Sequence, residues 1–309
     1  MAITKTPTQQ VRVVEQLWKD LMFGSQTIEK GIVHVIPGKR NKVQLNRFYA
    51  GVNKITAAVP TPTTPADALT KDEKTIQAAE IMFYDRFNPK SFNIDDVFLQ
   101  SIGASVSSTA ALVLLEAIRD RVTKVFNYDL DNLLWNGDTL SGNDWLSPID
   151  GIVKLIDADT DVINVTPAGA VTSANVIAIL EAVVKAIPQE VKQLGNATIV
   201  TTPLVLEAYD EAARTLDFKG ANIYEAGKPM FAGYPIKTVI QIPANRIFAG
   251  SFANGDMGNI KMATWADADR FNIKIDRLQA DSDEFFIKVN AELGVNHVYG
   301  KEIVEYTPA

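Results

Sequence analysis

The chain has 309 residues, 47% of them hydrophobic and 22% charged, with no cysteine and a formal net charge of −7. Such a length buries a sizeable core in about two units, and the missing cysteines exclude disulfide staples, thiolate nucleophiles and Cys-ligated zinc, which fits a reducing cytoplasm. The acidic balance argues against a protein whose main work is gripping phosphate backbones, and no apolar run approaches the roughly twenty residues that span a bilayer or forms a signal core behind Met1 to Lys5.

From the N-terminus, residues 8 to 23 place Val11, Val14, Leu17, Trp18, Leu21 and Met22 on one helical face before Gly24 stops the helix. Such a stripe suits packing on its own domain and docking on a neighbour equally well. From Gly31 the pattern becomes extended, through Ile32 to Ile36, a Pro37-Gly38 turn, and then Val43, Leu45 and Phe48 in near alternation. Three prolines, Pro60, Pro62 and Pro65, remove backbone donors and fix φ, so this stretch reads as a loop tip. Thr75 to Phe87 is another extended run, broken at Asn88-Pro89. Residues 31 to 90 therefore hold little core of their own. Ordering about thirty of them costs roughly 30 to 60 kcal/mol of backbone entropy, which calls for about 1,200 to 2,400 Å² of apolar burial. Either the stretch is disordered, or a neighbouring subunit is the natural source of such a surface.

Next comes one long amphipathic helix, 107 to 136. Ala111, Leu115, Ile118, Val122, Val125, Phe126, Leu130, Leu133 and Leu134 recur in steps of three and four, which leaves Arg119, Arg121, Lys124 and Asp131 to face water. It ends at Trp135-Asn136-Gly137-Asp138 and is followed by Pro148-Ile149-Asp150-Gly151-Ile152. Beyond it the pattern alternates. Ser173 or Thr172 caps a helix carrying Val176, Ile179, Leu180, Val183 and Ile187 up to Pro188, and Ala197 to Thr201 reads as a buried strand. Thr202-Pro203 opens a helix with Leu204, Ala208, Tyr209 and Ala212 along one side. Strands are expected at 234 to 242, 246 to 249, 260 to 265, 271 to 275 and 285 to 291, with a short one at 303 to 306. The implied architecture is an α/β unit inserted between a spine helix and an antiparallel sheet.

No catalytic, cofactor-binding or metal-ligating residue is named. The sequence lacks a G-x-S-x-G elbow, a G-x-x-x-x-G-K-[ST] loop and H-E-x-x-H, and its two histidines, His34 and His297, fall in separate strand-like stretches as structural or surface residues. Asp157-Ala158-Asp159-Thr160-Asp161 imitates the start of a calcium loop, but Val162 stands at the glycine position and Ala168 at the glutamate position. A solvated acidic turn is the expectation there. Gly220, Gly227, Gly233 and Pro229 mark either a mobile loop or a simple connection.

In their order and spacing these landmarks resemble the major capsid proteins of tailed bacteriophages with the Hong Kong 97-type fold. The features that carry the likeness are the spine running into Gly137-Asp138 and Ile149-Asp150-Gly151-Ile152, the strand from Asn196 to Thr202 leading into a helix, and Ala232 to Ile236 followed by Ile242 to Phe252. The resemblance implies an α+β capsid fold. Its parts are an N-terminal arm at 1–30, an extended E-loop at 31–90, a peripheral domain with the spine helix at 91–150 and again at 251–309, and an axial α/β domain at 151–250. It implies a structural, non-enzymatic subunit that self-assembles into hexamers and pentamers of an icosahedral head around double-stranded DNA, in the virion, after assembly in the host cytoplasm. Contacts between subunits are expected from the E-loop tip, through Pro60, Pro62, Pro65, Lys71 and Lys74, and from the N-terminal helix, through Leu17, Trp18 and Leu21. No room precedes the arm for the cleaved scaffolding segment of many relatives, so either scaffold is a separate protein or the sequence is a mature form, and Met1 favours the first; portal and decoration proteins are expected as further partners. Some relatives cross-link lysine to asparagine, but Lys71, Lys74 and Asn290 are too ordinary to carry that chemistry here. An encapsulin-like compartment shell and an α/β enzyme are the alternative readings.

Overall fold

The apolar spacing of the middle of the chain produces one helix, Thr109–Asn136, about 42 Å long over its 28 residues. A computed structural model describes this helix and residues 24–38, 42–49, 70–87, 137–215, 224–225, 228–253, 255, 258–265, 274–277 and 284–308. The N-terminal helix with Leu17, Trp18 and Leu21, and the loop tip with Pro60, Pro62 and Pro65, lie outside the described residues. The strands are β1 (His34–Pro37), β2 (Lys42–Tyr49), β3 (Thr70–Gln77), β4 (Ala79–Phe87), β5 (Ile163–Val165), β6 (Ala197–Thr201), β7 (Tyr224–Glu225), β8 (Lys228–Phe231), β9 (Tyr234–Thr238), β10 (Ile247–Ser251), β11 (Ile260–Trp265), β12 (Lys274–Arg277), β13 (Phe285–His297) and β14 (Val304–Tyr306). Among the described residues no helix is long and apolar enough to cross a membrane.

The strands form three sheets. A five-stranded sheet runs β1-β11-β13-β12, with β4 also paired to β13, and a seven-stranded sheet runs β5-β14-β10-β6-β9-β8-β7. β2 and β3 form a separate antiparallel ribbon, in register from Lys42 opposite Gln77 to Tyr49 opposite Thr70. The alternation of β13 explains its placement. Ile287, Val289, Ala291 and Leu293 face the long helix and join Phe126, Leu130, Leu133 and Leu134 in the main core, where Phe83 of β4 meets Phe126 edge to face at 5.7 Å.

β6 and β10 are buried at all five positions because the seven-stranded sheet is covered on both faces. Val200 and Phe248 point to the main core, where Trp135 packs on Phe248 at 5.7 Å, while Ile199, Ile247 and Ala249 point to a second core beneath the helices Val176–Ala186 and Pro203–Thr215. The end of the long helix is pinned by a backbone approach to the segment that opens the short helix Ile152–Asp157. Gly151 N donates to Gly137 O at 2.8 Å, and a β-carbon on Gly137 would sit 2.5 Å from Ile149 O. Glycine is required there for contact, not for an unusual φ.

Several expectations need correction. Asp131 does not face water; it is 2% exposed and accepts from Ser25 Oγ at 2.7 Å, Gln26 N at 2.8 Å and Thr27 N at 3.1 Å, at the start of the one-turn helix Gln26–Glu29. Thr27 Oγ1 donates to it as well, so four charge-assisted hydrogen bonds hold the buried carboxylate. The run from Thr75 to Phe87 is two strands, because Ala78 turns the chain from its β2 partner to its β13 partner. The strand expected at 234 to 242 ends at Thr238, and Asn245, with φ 63°, makes the following turn. The helix expected to be capped at Thr172 or Ser173 begins at Val176, after a turn in which Asn175 Oδ1 accepts from Thr172 N. Leu204 is exposed, and Val205 takes the buried position beside Tyr209 and Ala212. Within 251 to 309, β14 stands apart from the five-stranded sheet and lies between β5 and β10, where Val304 and Tyr306 bury in the second core.

Candidate assembly surface

The ribbon β2 and β3 has an inner and an outer face by strand alternation. Val43, Leu45 and Ile76 bury against Ala263 and Val298, so the root of the extended arm stands on its own chain. Lys74 shares that inner face, opposite Leu45, whereas Lys71 lies on the outer face and pairs with Glu73 at 3.0 Å in the open. The two lysines expected together at the tip thus do different things. Arg47 and the N–H of Phe48 reach the segment after β13, donating to Val298 O and Tyr299 Oη at 3.4 and 3.3 Å. Asn259 fixes that segment by accepting from Val298 N and Tyr299 N at 2.9 and 2.8 Å.

Beneath the ribbon, Lys74 Nζ lies 2.7 Å from Asp159 Oδ2 and 2.6 Å from His297 Nε2. Nε2 also lies 2.7 Å from Asp159 Oδ2, so the ring either accepts from the Lys74 ammonium, with its proton on Nδ1, or donates from Nε2 to the carboxylate. Burial, then the charge of Lys74, push His297 down to about 4. Burial also lowers Lys74, against the pull of Asp159. For Asp159 burial acts upward, but the hydrogen bonds from Lys74 and from the backbone of Asp161 prevail and hold it well below the usual carboxylate range. Two residues earlier, Asp157 holds Arg246 through two contacts of 2.8 and 3.0 Å, and Arg246 also reaches Glu305 of β14 at 2.9 Å. The turn expected to be a solvated acidic loop is therefore a hub. It ties the ribbon, β13 and the seven-stranded sheet together, with Asp159 only 16% exposed. Both histidines take structural places, since His34 Nδ1 accepts from Gly255 N at 3.0 Å. Among the described residues no cluster of three or more His, Asp or Glu could hold a metal ion.

A second feature lies along β4, which pairs with β13 alone among the described residues. Between β4 and the long helix runs a groove of about 430 Å³, lined by Met82, Phe83, Phe126, Leu133 and Trp145 with Asp129 at its rim. Met82 is 61% and Trp145 77% exposed. Apolar side chains this open, beside a strand edge with no partner among the described residues, are what a contact between subunits uses. Sequence reasoning missed both the groove and the hub. Their residues are 16 or more positions apart along the chain in most cases, and nothing local distinguishes Asp159 or Trp145 from an ordinary surface residue.

A chain from the capsid of a native GTA particle superposes with a TM-score of 0.58 at 15% identity, covering 92% of this chain and 91% of that one. A chain of the satellite phage P4 procapsid, in a structure that includes the size determination protein, also gives 0.58, at 12% identity over 100% of this chain and 94% of that one. This is the phage capsid fold. A Mycobacterium phage Adephagia chain has it too, with a TM-score of 0.53 at 14% identity over 92% and 90% of the two chains. No family model matches the sequence, and no curated protein does. The likeness covers nearly the whole of the chain.

Proposed function

We propose that this protein is a structural major capsid subunit that assembles with copies of itself into hexamers and pentamers of an icosahedral phage head enclosing double-stranded DNA. The observation that carries the reading is the end-to-end coverage of capsid chains, 92% and 91% in one case, at TM-scores above the level of a shared local motif. The physical chemistry agrees with it. The ribbon roots on its own chain, and a net charge of −7 lets a shell enclose DNA without adhering to it. In this reading Pro60, Pro62, Pro65 and Lys71 of the arm, and Leu17, Trp18 and Leu21 of the N-terminal helix, touch neighbouring subunits. Lys74 serves at the root of the arm instead. Residues 151–250, joined by β14, form the axial unit, and the five-stranded sheet with the long helix forms the peripheral one. Scaffold, portal and decoration proteins are separate chains, and the assembled protein resides in the virion after assembly in the host cytoplasm.

Negative-stain electron microscopy of the purified protein tests this directly. Rings or closed shells are expected. A monodisperse monomer by sedimentation at every concentration and salt tried would refute the proposal.

A further inference from the structure

The cluster under the ribbon contains one group whose charge changes within an accessible pH range. Lys74 Nζ, Asp159 Oδ2 and His297 Nε2 form a triangle with sides of 2.7, 2.7 and 2.6 Å. Two protonation patterns compete for it: a neutral ring with its proton on Nδ1 lets the ammonium bridge Nε2 and the carboxylate, whereas a proton on Nε2 satisfies the side to Asp159 instead. A proton on Nε2 turns that acceptor into a donor 2.6 Å from a cation, and the imidazolium claims Asp159 for itself. Lys74 is then left on the buried side of the ribbon with its best partner taken. The other charged groups facing the triangle are Arg47 from β2, which adds to the positive charge, and Asp161 from the turn, which opposes it.

We propose that His297 is an acid-operated latch on the arm: the neutral ring holds Lys74 and keeps the ribbon of β2 and β3 seated on the 157–161 turn, and protonation of the ring ejects Lys74 and unseats the ribbon. The latch stands on contacts within one chain. Only its consequence, that acid frees the arm to be repositioned between subunits, rests on the capsid reading.

The sign and window follow from the same geometry. An unseated His297 titrates near the ordinary value of 6.5 and the seated one at about 4. Seating is therefore fully favoured above about pH 6.5 and is lost progressively as pH falls toward about 4. At pH 4 the seating equilibrium drops by about a hundredfold. Asp159 titrates below this window, so it does not produce the change.

Hydrogen exchange on the full chain, corrected for the intrinsic pH dependence of exchange, reads the latch in peptides covering 42–49 and 70–77. Wild type should lose about a hundredfold in protection of these two strands between pH 7 and pH 4, while β6 stays protected. His297→Gln keeps an acceptor and does not titrate, so its ribbon should hold the same protection at both pH values. An equal acid response in wild type and His297→Gln overturns the latch. Should that variant fail to fold, Lys74→Met provides the second arm: its ribbon should already be loose at pH 7 and change little on acidification, and a wild-type acid response in Lys74→Met overturns the proposal equally. A latch that works in a protein forming no shells by microscopy would separate failure of the capsid reading from failure of the latch.

Discussion

Replacing Asp131 with alanine removes the one acceptor that organises the start of the described chain. Its carboxylate takes hydrogen bonds from Ser25 Oγ, Gln26 N, Thr27 N and Thr27 Oγ1, and Thr27 Oγ1 in turn accepts from Trp135 Nε1 at 2.9 Å. Ser25 and Thr27 are fully buried, so the freed donors do not all reach water. A hydrogen bond to a charged group is worth about 1.5 to 3 kcal/mol, and stripping the acceptor from a buried set costs about 3 to 5 kcal/mol in total because the bonds are not additive. Asp131→Asn keeps the shape but points one amide N–H at a donor, at a cost of about 1 to 3 kcal/mol. Urea denaturation of the unassembled subunit, followed by circular dichroism, measures both, and the order Ala worse than Asn is the signature of lost acceptors. A cost below about 1 kcal/mol for Asp131→Ala, or Asn as harmful as Ala, would refute the reasoning and mean that Ser25 and Thr27 find other partners.

Gly137→Ala should destabilise by about 1 to 3 kcal/mol, since its new carbon would press on Ile149 O and Leu133 O; a melting temperature equal to wild type would show that the helix end shifts freely. Burial, and then the charge of Asp157, raise Glu305, so its contribution to stability is complete below its ordinary value of 4.5 and is lost as pH rises. Glu305→Gln should therefore flatten the decline of melting temperature from pH 5 to pH 8, and an unchanged slope would assign that decline elsewhere. Replacing residues 51 to 68 with a two-residue turn should leave β2 and β3 paired and the subunit folded while abolishing assembly, as checked by circular dichroism and microscopy; shells of normal appearance would remove the arm from the contact. With no cysteine in the chain, shells should run as single chains of 33.8 kDa on a denaturing gel, and a ladder lost in Lys71→Ala would reveal a covalent link at the arm.

What the sequence made legible is what depends on neighbours within a few residues. The long helix, the buried strand at 197 to 201 and the proline-led helix after it follow from spacing and capping, which act over one or two turns. Asp131 was misjudged because its helical position does lie off the main apolar stripe, and its partners come from 104 to 106 residues earlier. Likewise Lys74 looked like an exposed lysine of a loop. Only the register of β3 against β2, with Asp159 85 positions away and His297 223 away, turns it inward. The run at 75 to 87 shows no break at Ala78, because an extended residue between two strands looks the same as one inside a strand.

The position of β13 and β14 has a consequence for the timing of synthesis. β13 is the central strand of one sheet and β14 lies inside the other, yet both belong to the last stretch described, from Phe285 to Tyr306. A nascent chain that has emerged as far as Ser251 has made the helices of the α/β unit but lacks the strand that joins β5 to β10. Likewise β4 waits some two hundred residues for its partner. Pairings this distant make folding slow, since the loop must close before any contact rewards it. Neither sheet closes until Phe285 to Tyr306 has emerged, so on the capsid reading a chain made only as far as Ser251 carries no finished surface with which to enter a growing shell and poison it.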